Sequence, residues 1–446
     1  MRGNETVRFS RKRAAEEKAR CRDWMPFRSE IGAETGRSRL ARWEESFMKS
    51  LSEFALAIQP SSTMAIDAMF KQMKAEGQDV IGFGAGEPDF PTPDHIKEAG
   101  IQAIQNNDTR YTPSVGTVEL RKAICQRLKA DCGLDYDFKE IAVSNGAKTC
   151  VYVALRALVN PGDEVILPAP YWVSYIELIR MVGGVPVVID TTEAEHFKIT
   201  PEKLSAAITP KTKCMILNNP CNPTGMMYSR KELEAIAKVC VDNDLYVLSD
   251  EIYYSLTYDN EQFTSLAALG EDIKARTLLI NGVSKSYAMT GWRIGYIAAP
   301  ANITKVVGNY LGHCTGSPSA ISQKAALAAL TAPQDQVEAM RQAFEERRDY
   351  MVQRMNQIEG ISCIKPEGAF YVMMNMEKVV GKELFGQVIH SDDDFASLFL
   401  KYGKVAVVPG GGFGAPNFIR WSYAASMDNI KAGLDRLEMF LQGKAV

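Results

Sequence analysis

Residues able to do chemistry gather in this chain at one kind of place, the ends of short, β-rich apolar runs. The run EIAVSN leads into Gly146-Ala147-Lys148, directly before a helical pattern. Free N–H groups at such a helix start suit a phosphate. The run EVILPAP ends at Tyr171-Trp172, and KCMILNNP leads to Asn219, Asn222 and Gly225. LYVLSD ends in Asp250-Glu251-Ile252-Tyr253, and TLLINGVS delivers Ser284 and Lys285, followed by Gly291, Arg293 and Gly295. Together the run ends offer an anion site, an aromatic plate, an amide, a carboxylate, a phenol and an amine. Singly, each has a plainer explanation. A lysine after a serine is usually a surface residue, Asp250 could cap a helix, and Asn-Pro and Thr-Gly favour turns. Arg420, in FIRWSY, could belong to a structural ion pair. Their joint order argues for one site, because ligands of open α/β sheets bind at the carboxyl ends of the strands.

The elements needed to hold these residues are legible in the hydrophobic pattern. HIKEAGIQAIQ, VELRKAICQRLKAD, KTCVYVALRALV and RKELEAIAKVCVDN have helical spacing and alternate with the apolar runs. Strands apolar on both sides, joined by crossover helices, mean a mostly parallel sheet covered on both faces. This α/β domain is expected over 95–335. A long helical run, QDQVEAMRQAFEERRDYMVQRMNQI, precedes a change of pattern. ISCIKPEGAFYVMMNM, KVAVVPGGG and FIRWSY then alternate with two helical stretches, as in a smaller α+β domain over 336–446. Residues 48–94 read as an N-terminal arm and part of that smaller domain. Residues 1–47 carry mixed charges and few large apolar side chains, which reads as a disordered extension, and Met48 opens the globular pattern.

Composition excludes several classes. The 446 residues are 46% hydrophobic and 24% charged, with a formal net charge of −3. That is ordinary globular usage, without the basic field of a nucleic-acid binder or an apolar run long enough to span a membrane. Nine cysteines without a C-x-x-C pair and four scattered histidines point to reduced thiols in the cytoplasm and to no zinc site. Gly82-x-Gly84-x-Gly86 runs into Glu87-Pro88-Asp89, where no helix can open, so it is not a dinucleotide fingerprint. Gly282-Val283-Ser284-Lys285-Ser286 lacks the spacing of a Walker A loop.

The tract SKSYAMTGWRIGY (284–296) resembles the signature of the fold type I, pyridoxal-phosphate-dependent aminotransferases of class I. AGEPDF, RYTPSVGTVELR, PGDEVILPAPYWVSY, NNPCNPTG, SDEIYYSL and GAFYV follow in that family's order, and the resemblance covers 48–446. Within the family, the chain is most similar to the bacterial-type aspartate aminotransferases. The resemblance implies a large domain with a mostly parallel seven-stranded sheet and a smaller α+β domain. It also implies pyridoxal 5'-phosphate as cofactor, with Lys285 as Schiff-base lysine and proton shuttle and Asp250 paired with the pyridine nitrogen. On the same resemblance Asn222 and Tyr253 contact the phenolic oxygen, and Trp172 stacks on the ring. Ala147, Lys148, Ser284 and Arg293 would hold the phosphate. Tyr111 would reach the phosphate of a neighbouring subunit, which makes a homodimer the expected assembly. Arg420 and the Gly86 backbone would bind the substrate α-carboxylate, a role in which a planar guanidinium outperforms an ammonium.

For the distal carboxylate of a dicarboxylic substrate, the resemblance points to Lys148, Ser61 and Thr63. The expected reaction is therefore ping-pong transfer of the amino group from L-aspartate to 2-oxoglutarate. Alternatives are a different range (alanine, aromatic amino acids or prephenate) and a lyase using the same cofactor. Two departures stand out. Cys221 occupies a position where relatives usually carry Asn or Ser, and GGGFG (410–414) is glycine-richer than usual, which suggests a loosened substrate-side loop.

Overall fold

Seven apolar stretches become the strands of one sheet, six of them largely buried and the seventh at its edge. They are β1 (Ile141–Ser144), β2 (Glu164–Pro168), β3 (Val185–Ile189), β4 (Thr212–Asn218), β5 (Tyr246–Asp250), β6 (Thr277–Gly282) and β7 (Gly295–Ala298). Their order is β1-β7-β6-β5-β4-β2-β3. All neighbouring pairs are parallel except the two that β7 makes, with β1 and β6. Every residue of β1, β6 and β7 is buried, whereas the edge strand β3 exposes Val185 and Val188. β7 is the strand that the hydrophobic pattern did not flag, because GYIA runs on from the tract before it with no helical stretch between.

The computed structural model describes residues 50–58 and 63–446. The chain divides into two compact units, Met1–Ala57 and Ile58–Val446. In the first unit the described residues form a single helical turn, Glu53–Leu56, whose N-cap Ser52 accepts a hydrogen bond from the Ala55 amide. The extension expected over 1–47 lies outside the described residues. Among the described residues, no helix is long and apolar enough to cross a membrane.

Helices flank the sheet and carry explicit start and stop signals. Thr117 caps the helix Val118–Cys132, which ends at Gly133 in a left-handed conformation (φ 68°). Ser229 and Glu232 form a capping box on Arg230–Asp242. A second, antiparallel sheet is built from β8 (Ser362–Cys363), β9 (Tyr371–Asn375), β10 (Val408–Pro409) and β11 (Phe418–Ser422), in the order β10-β11-β9-β8. The long helix Asp335–Met355 leads into it, burying Phe344 and Met351 against Phe370 and its neighbours. A two-residue parallel pairing of Ile81–Gly82 with Val405–Ala406 joins the segment before the large sheet to the region of the second sheet.

Candidate active site

One cavity of about 740 Å³ opens at the carboxyl ends of β2, β4, β5 and β6. Its wall includes Gly86, Ala147, Lys148, Trp172, Asn222, Asp250, Tyr253, Ser284, Lys285, Arg293 and Arg420. Antiparallel β7 explains how Arg293 joins this set. In the parallel strands the residues following the strand lie at the cavity, whereas in β7 those preceding it do. Gly295 pairs with both Ser144 and Gly282, the last residues of β1 and β6.

The glycines around Arg293 are demanded by space. Gly146 has φ 87°, and a Cβ there would meet Arg293 Nη2 at 2.3 Å. A Cβ on Gly295 would meet the Ala147 amide nitrogen at 2.4 Å. Arg293 itself, held at φ 58°, donates through Nη1 to the Thr290 carbonyl (2.9 Å) and through Nη2 to the Asn145 carbonyl (3.3 Å). A guanidinium thus lies against the start of the helix Ala147–Leu158, where first-turn N–H groups lack intrahelical acceptors. That combination is a cradle for a doubly charged anion.

Asp250 is 4% exposed. Its Oδ2 accepts from the Tyr175 hydroxyl (2.6 Å) and its Oδ1 from the Ile252 amide (3.2 Å). Burial pushes its pKa up to about 6, against the opposing pull of those hydrogen bonds and of Lys285. A carboxylate so placed is a natural counter-charge for a cationic ligand group. Asn218 donates to the Asp250 carbonyl (2.9 Å) and accepts from the Asn222 amide (2.7 Å), which fixes the end of β4 against the end of β5.

Lys285 Nζ donates to the Gly86 carbonyl. Burial is the main reason its pKa falls to about 8; nearby Glu87 opposes the fall, and Arg420 adds to it. An amine close to neutral at mildly alkaline pH is fit to act as nucleophile and base. Lys148 is also lowered, first by burial and then by Arg293, and its Nζ lies 5.0 Å over the Trp172 ring. Trp172 in turn meets Tyr175 edge-on at 5.2 Å.

Arg420, on β11, is 5% exposed. It donates through Nη1 to Asn222 Oδ1 (3.0 Å) and through Nη2 to the Gly84 carbonyl (2.9 Å). Its Nε has no partner, and both groups it touches are neutral. Its guanidinium lies 4.5 Å from the Tyr371 ring and 4.9 Å from the Phe413 ring. A buried guanidinium that meets no acid among the described residues leaves its charge for a ligand to neutralise.

Residues 78–437 match the family described as aminotransferase class I and II. The chain belongs to that family. It is similar to an aspartate aminotransferase of Geobacillus stearothermophilus, 46% identical over 395 residues, covering 89% of this chain and 100% of that one. An aspartate/prephenate aminotransferase of Cereibacter sphaeroides is 44% identical over 399 residues, with 89% and 100% coverage. Among solved structures, the aspartate aminotransferase of Rhizobium meliloti superimposes with a TM-score of 0.86 at 41% identity, covering 89% of this chain and 99% of that one.

One expected residue stands apart from the cavity wall of this aminotransferase, and two others cannot be placed against it. Tyr111 is 99% exposed and does not line the cavity. Ser61 lies outside the described residues, and Thr63 opens the helix Thr63–Ala75. The loosened loop expected at GGGFG is not found. The Gly411 amide donates to Asp392 Oδ2 (2.7 Å), Phe413 is fully buried, and a Cβ on Gly410 would lie 2.3 Å from the Ala415 carbonyl oxygen. The glycines allow a tight turn that presents Phe413 to Arg420. Cys221 packs behind Tyr175, its Sγ 3.6 Å from the Pro170 carbonyl.

Sequence reasoning gave no role to Tyr175, Tyr371 or Glu87. Tyr371 shares a hydrogen bond with Tyr253 (3.0 Å between hydroxyls) and lies under Arg420. All three residues sit in the tracts that carry the family resemblance (YWVSY, GAFYV and AGEPDF), so the signal was present. What was absent was the knowledge of which long-range partner each one meets.

Proposed function

We propose that this aminotransferase is an aspartate aminotransferase, exchanging amino groups between L-aspartate and 2-oxoglutarate with pyridoxal 5'-phosphate. The observation that carries the reading is Arg420, buried without an acidic partner among the described residues, in the same cavity as a lysine of lowered basicity and a buried aspartate. The names of the relatives support the substrate assignment.

The donor set fits the cofactor. The cradle of Ala147, Lys148, Ser284 and Arg293 suits its phosphate. Asp250 suits its ring nitrogen, Asn222 and Tyr253 its phenolic oxygen, and Trp172 its face. Tyr111, projecting from the surface, would complete the phosphate site of a second copy in a homodimer. When bound, pyridoxal phosphate supplies an aldehyde for the amino nitrogen and an electron sink for charge developing at Cα.

The remaining work belongs to this chain. Arg420 binds the α-carboxylate in a fork that replaces its missing anionic partner. Tyr371, Phe413 and Asn222 hold that guanidinium in position, so little reorganisation remains when the substrate arrives. Lys148, on the cavity wall, receives the distal carboxylate, a role the family resemblance also gives to Ser61 and Thr63. Lys285 Nζ is the base placed to take and hold the Cα proton. Asp250 remains ionised because the positive charge opposite it offsets its burial.

Measuring kcat/KM for aspartate, alanine, phenylalanine and prephenate, then repeating with Lys148→Ala, tests the reading. Aspartate is expected to lead, and Lys148→Ala to remove most of that lead while sparing alanine. The double name of the Cereibacter sphaeroides relative makes prephenate the second acceptor to examine. Equal rates for aspartate and alanine in the unmodified enzyme would refute the dicarboxylate assignment.

A further inference from the structure

The cavity is a place for carboxylates, yet one acid on its wall is left unassigned. Lys71, Lys148, Lys285, Arg293 and Arg420 line it, against two acids, Asp250 and Glu87. Asp250 is buried beneath Tyr175 and serves the cofactor. Glu87 is exposed to the cavity and follows Gly86, whose carbonyl accepts from Lys285 Nζ. Thr290 Oγ1 donates to Glu87 Oε2 at 2.8 Å. The same loop is tied down further along. Arg347 pairs with Asp89 (2.7 Å), Trp292 Nε1 donates to Thr92 Oγ1 (3.1 Å), and Thr92 Oγ1 donates to the Ala288 carbonyl (2.6 Å). Glu87 therefore sits on a tethered loop, next in sequence to the residue whose carbonyl holds the reactive amine.

A carboxylate here repels both carboxyl groups of a dicarboxylic substrate and weakens their binding. The substrate group of opposite sign is the α-ammonium, which must arrive beside Lys285 for transfer to occur. Amino donors carry it, whereas oxo-acid acceptors do not. We propose that Glu87 docks the α-ammonium of amino donors, so that this site distinguishes donors from acceptors by charge before any bond changes. Of the charges around Lys285, Glu87 acts on it most strongly, consistent with an ammonium at that spot sensing the same carboxylate.

The assignment rests on the Arg420 reading of the α-carboxylate, and its signature is a split of opposite sign. Holoenzyme carrying Glu87→Gln is compared with the unmodified enzyme for kcat/KM with aspartate and with 2-oxoglutarate. Equilibrium binding of succinate, a dicarboxylate without an amine, is followed alongside by thermal shift. Removing the charge is expected to weaken aspartate ~2- to 5-fold and to strengthen both 2-oxoglutarate and succinate by a similar factor, the worth of one exposed charge pair. Glu87→Asp, which keeps the charge, is expected to leave the split as it is in the unmodified enzyme. If all three ligands shift in the same direction under Glu87→Gln, or none shifts, the docking role is overturned. Absence of transamination in the unmodified enzyme would instead overturn the reading of the site itself.

Discussion

At the residue scale, the site is a set of ionisable groups moved from their ordinary ranges by burial. Lys285 is brought down to about 8 and Asp250 up to about 6. Replacing Lys285 with Ala should reduce kcat at least ~10²- to 10⁴-fold while circular dichroism stays unchanged, since a positioned base of this kind contributes that much. Arg420→Lys keeps the charge but not the fork. We expect kcat/KM to fall about tenfold to hundredfold for every amino acid, with the loss mainly in KM. Asp250 also gives a pH signature in the cofactor-free protein. Its carboxyl keeps a proton in the folded chain at pH values where the unfolded chain has lost it. Between about pH 4 and pH 6, then, the folded state binds more protons and its stability falls as pH rises. Asp250→Asn should remove that fall, gaining about 2–3 kcal/mol over the unmodified cofactor-free protein at pH 7 and nothing near pH 3. Urea denaturation at both pH values measures the difference. Equal stability of the two proteins at pH 7 would show that Asp250 carries no such penalty.

At the scale of elements, the decisive feature is the meeting of β7 with the start of the helix Ala147–Leu158. Gly146→Ala places a Cβ at 2.3 Å from Arg293 Nη2, in a backbone conformation that side chains rarely adopt. It should destabilise the fold by about 1–3 kcal/mol and weaken retention of the cofactor's phosphate, measured by gel filtration at falling cofactor concentration. The element pattern of the large sheet was mostly legible beforehand. Runs such as KCMILN and TLLING are apolar on both faces, and their polar residues appear where the strand stops. β7 escaped because GYIA runs on from the tract 284–294 with no helical stretch to set it off. Its antiparallel direction, set by the short connection through Arg293, was equally invisible. The GGGFG turn misled for a related reason: glycine permits both freedom and close approach, and only the surrounding atoms show which one it serves.

At the scale of the whole molecule, Tyr111 stands out as a tyrosine 99% exposed on a chain that buries most of its others. If it completes a second copy's phosphate site, Tyr111→Phe should leave the melting temperature of the cofactor-free protein unchanged. The same variant should weaken cofactor retention about tenfold, the worth of one hydrogen bond to a charged group. Dilution into the monomeric range, followed by sedimentation, should lose the bound cofactor in step with the dimer. Retention unaffected by either change would make the site complete within one chain.

Lys285, Asp250, Asn222 and Arg293 could be picked out because they follow apolar runs in the sequence, while their roles, and that of Arg420, came from the resemblance to the aminotransferases. A phosphate needs a helix start, an amine needs a strand end, and a turn needs its Asn-Pro and Thr-Gly pairs. These requirements act over a few residues, so a linear string can carry them. The tertiary structure alone decided which distant groups complete each one: Tyr175 on Asp250, Tyr371 and Phe413 around Arg420, the Gly84 carbonyl beneath it, and the Gly86 carbonyl on Lys285. Those contacts span up to 336 residues of chain. They are set by how two sheets and their helices pack, and burial, which moves the ionisable groups into their working range, exists only once that packing is made.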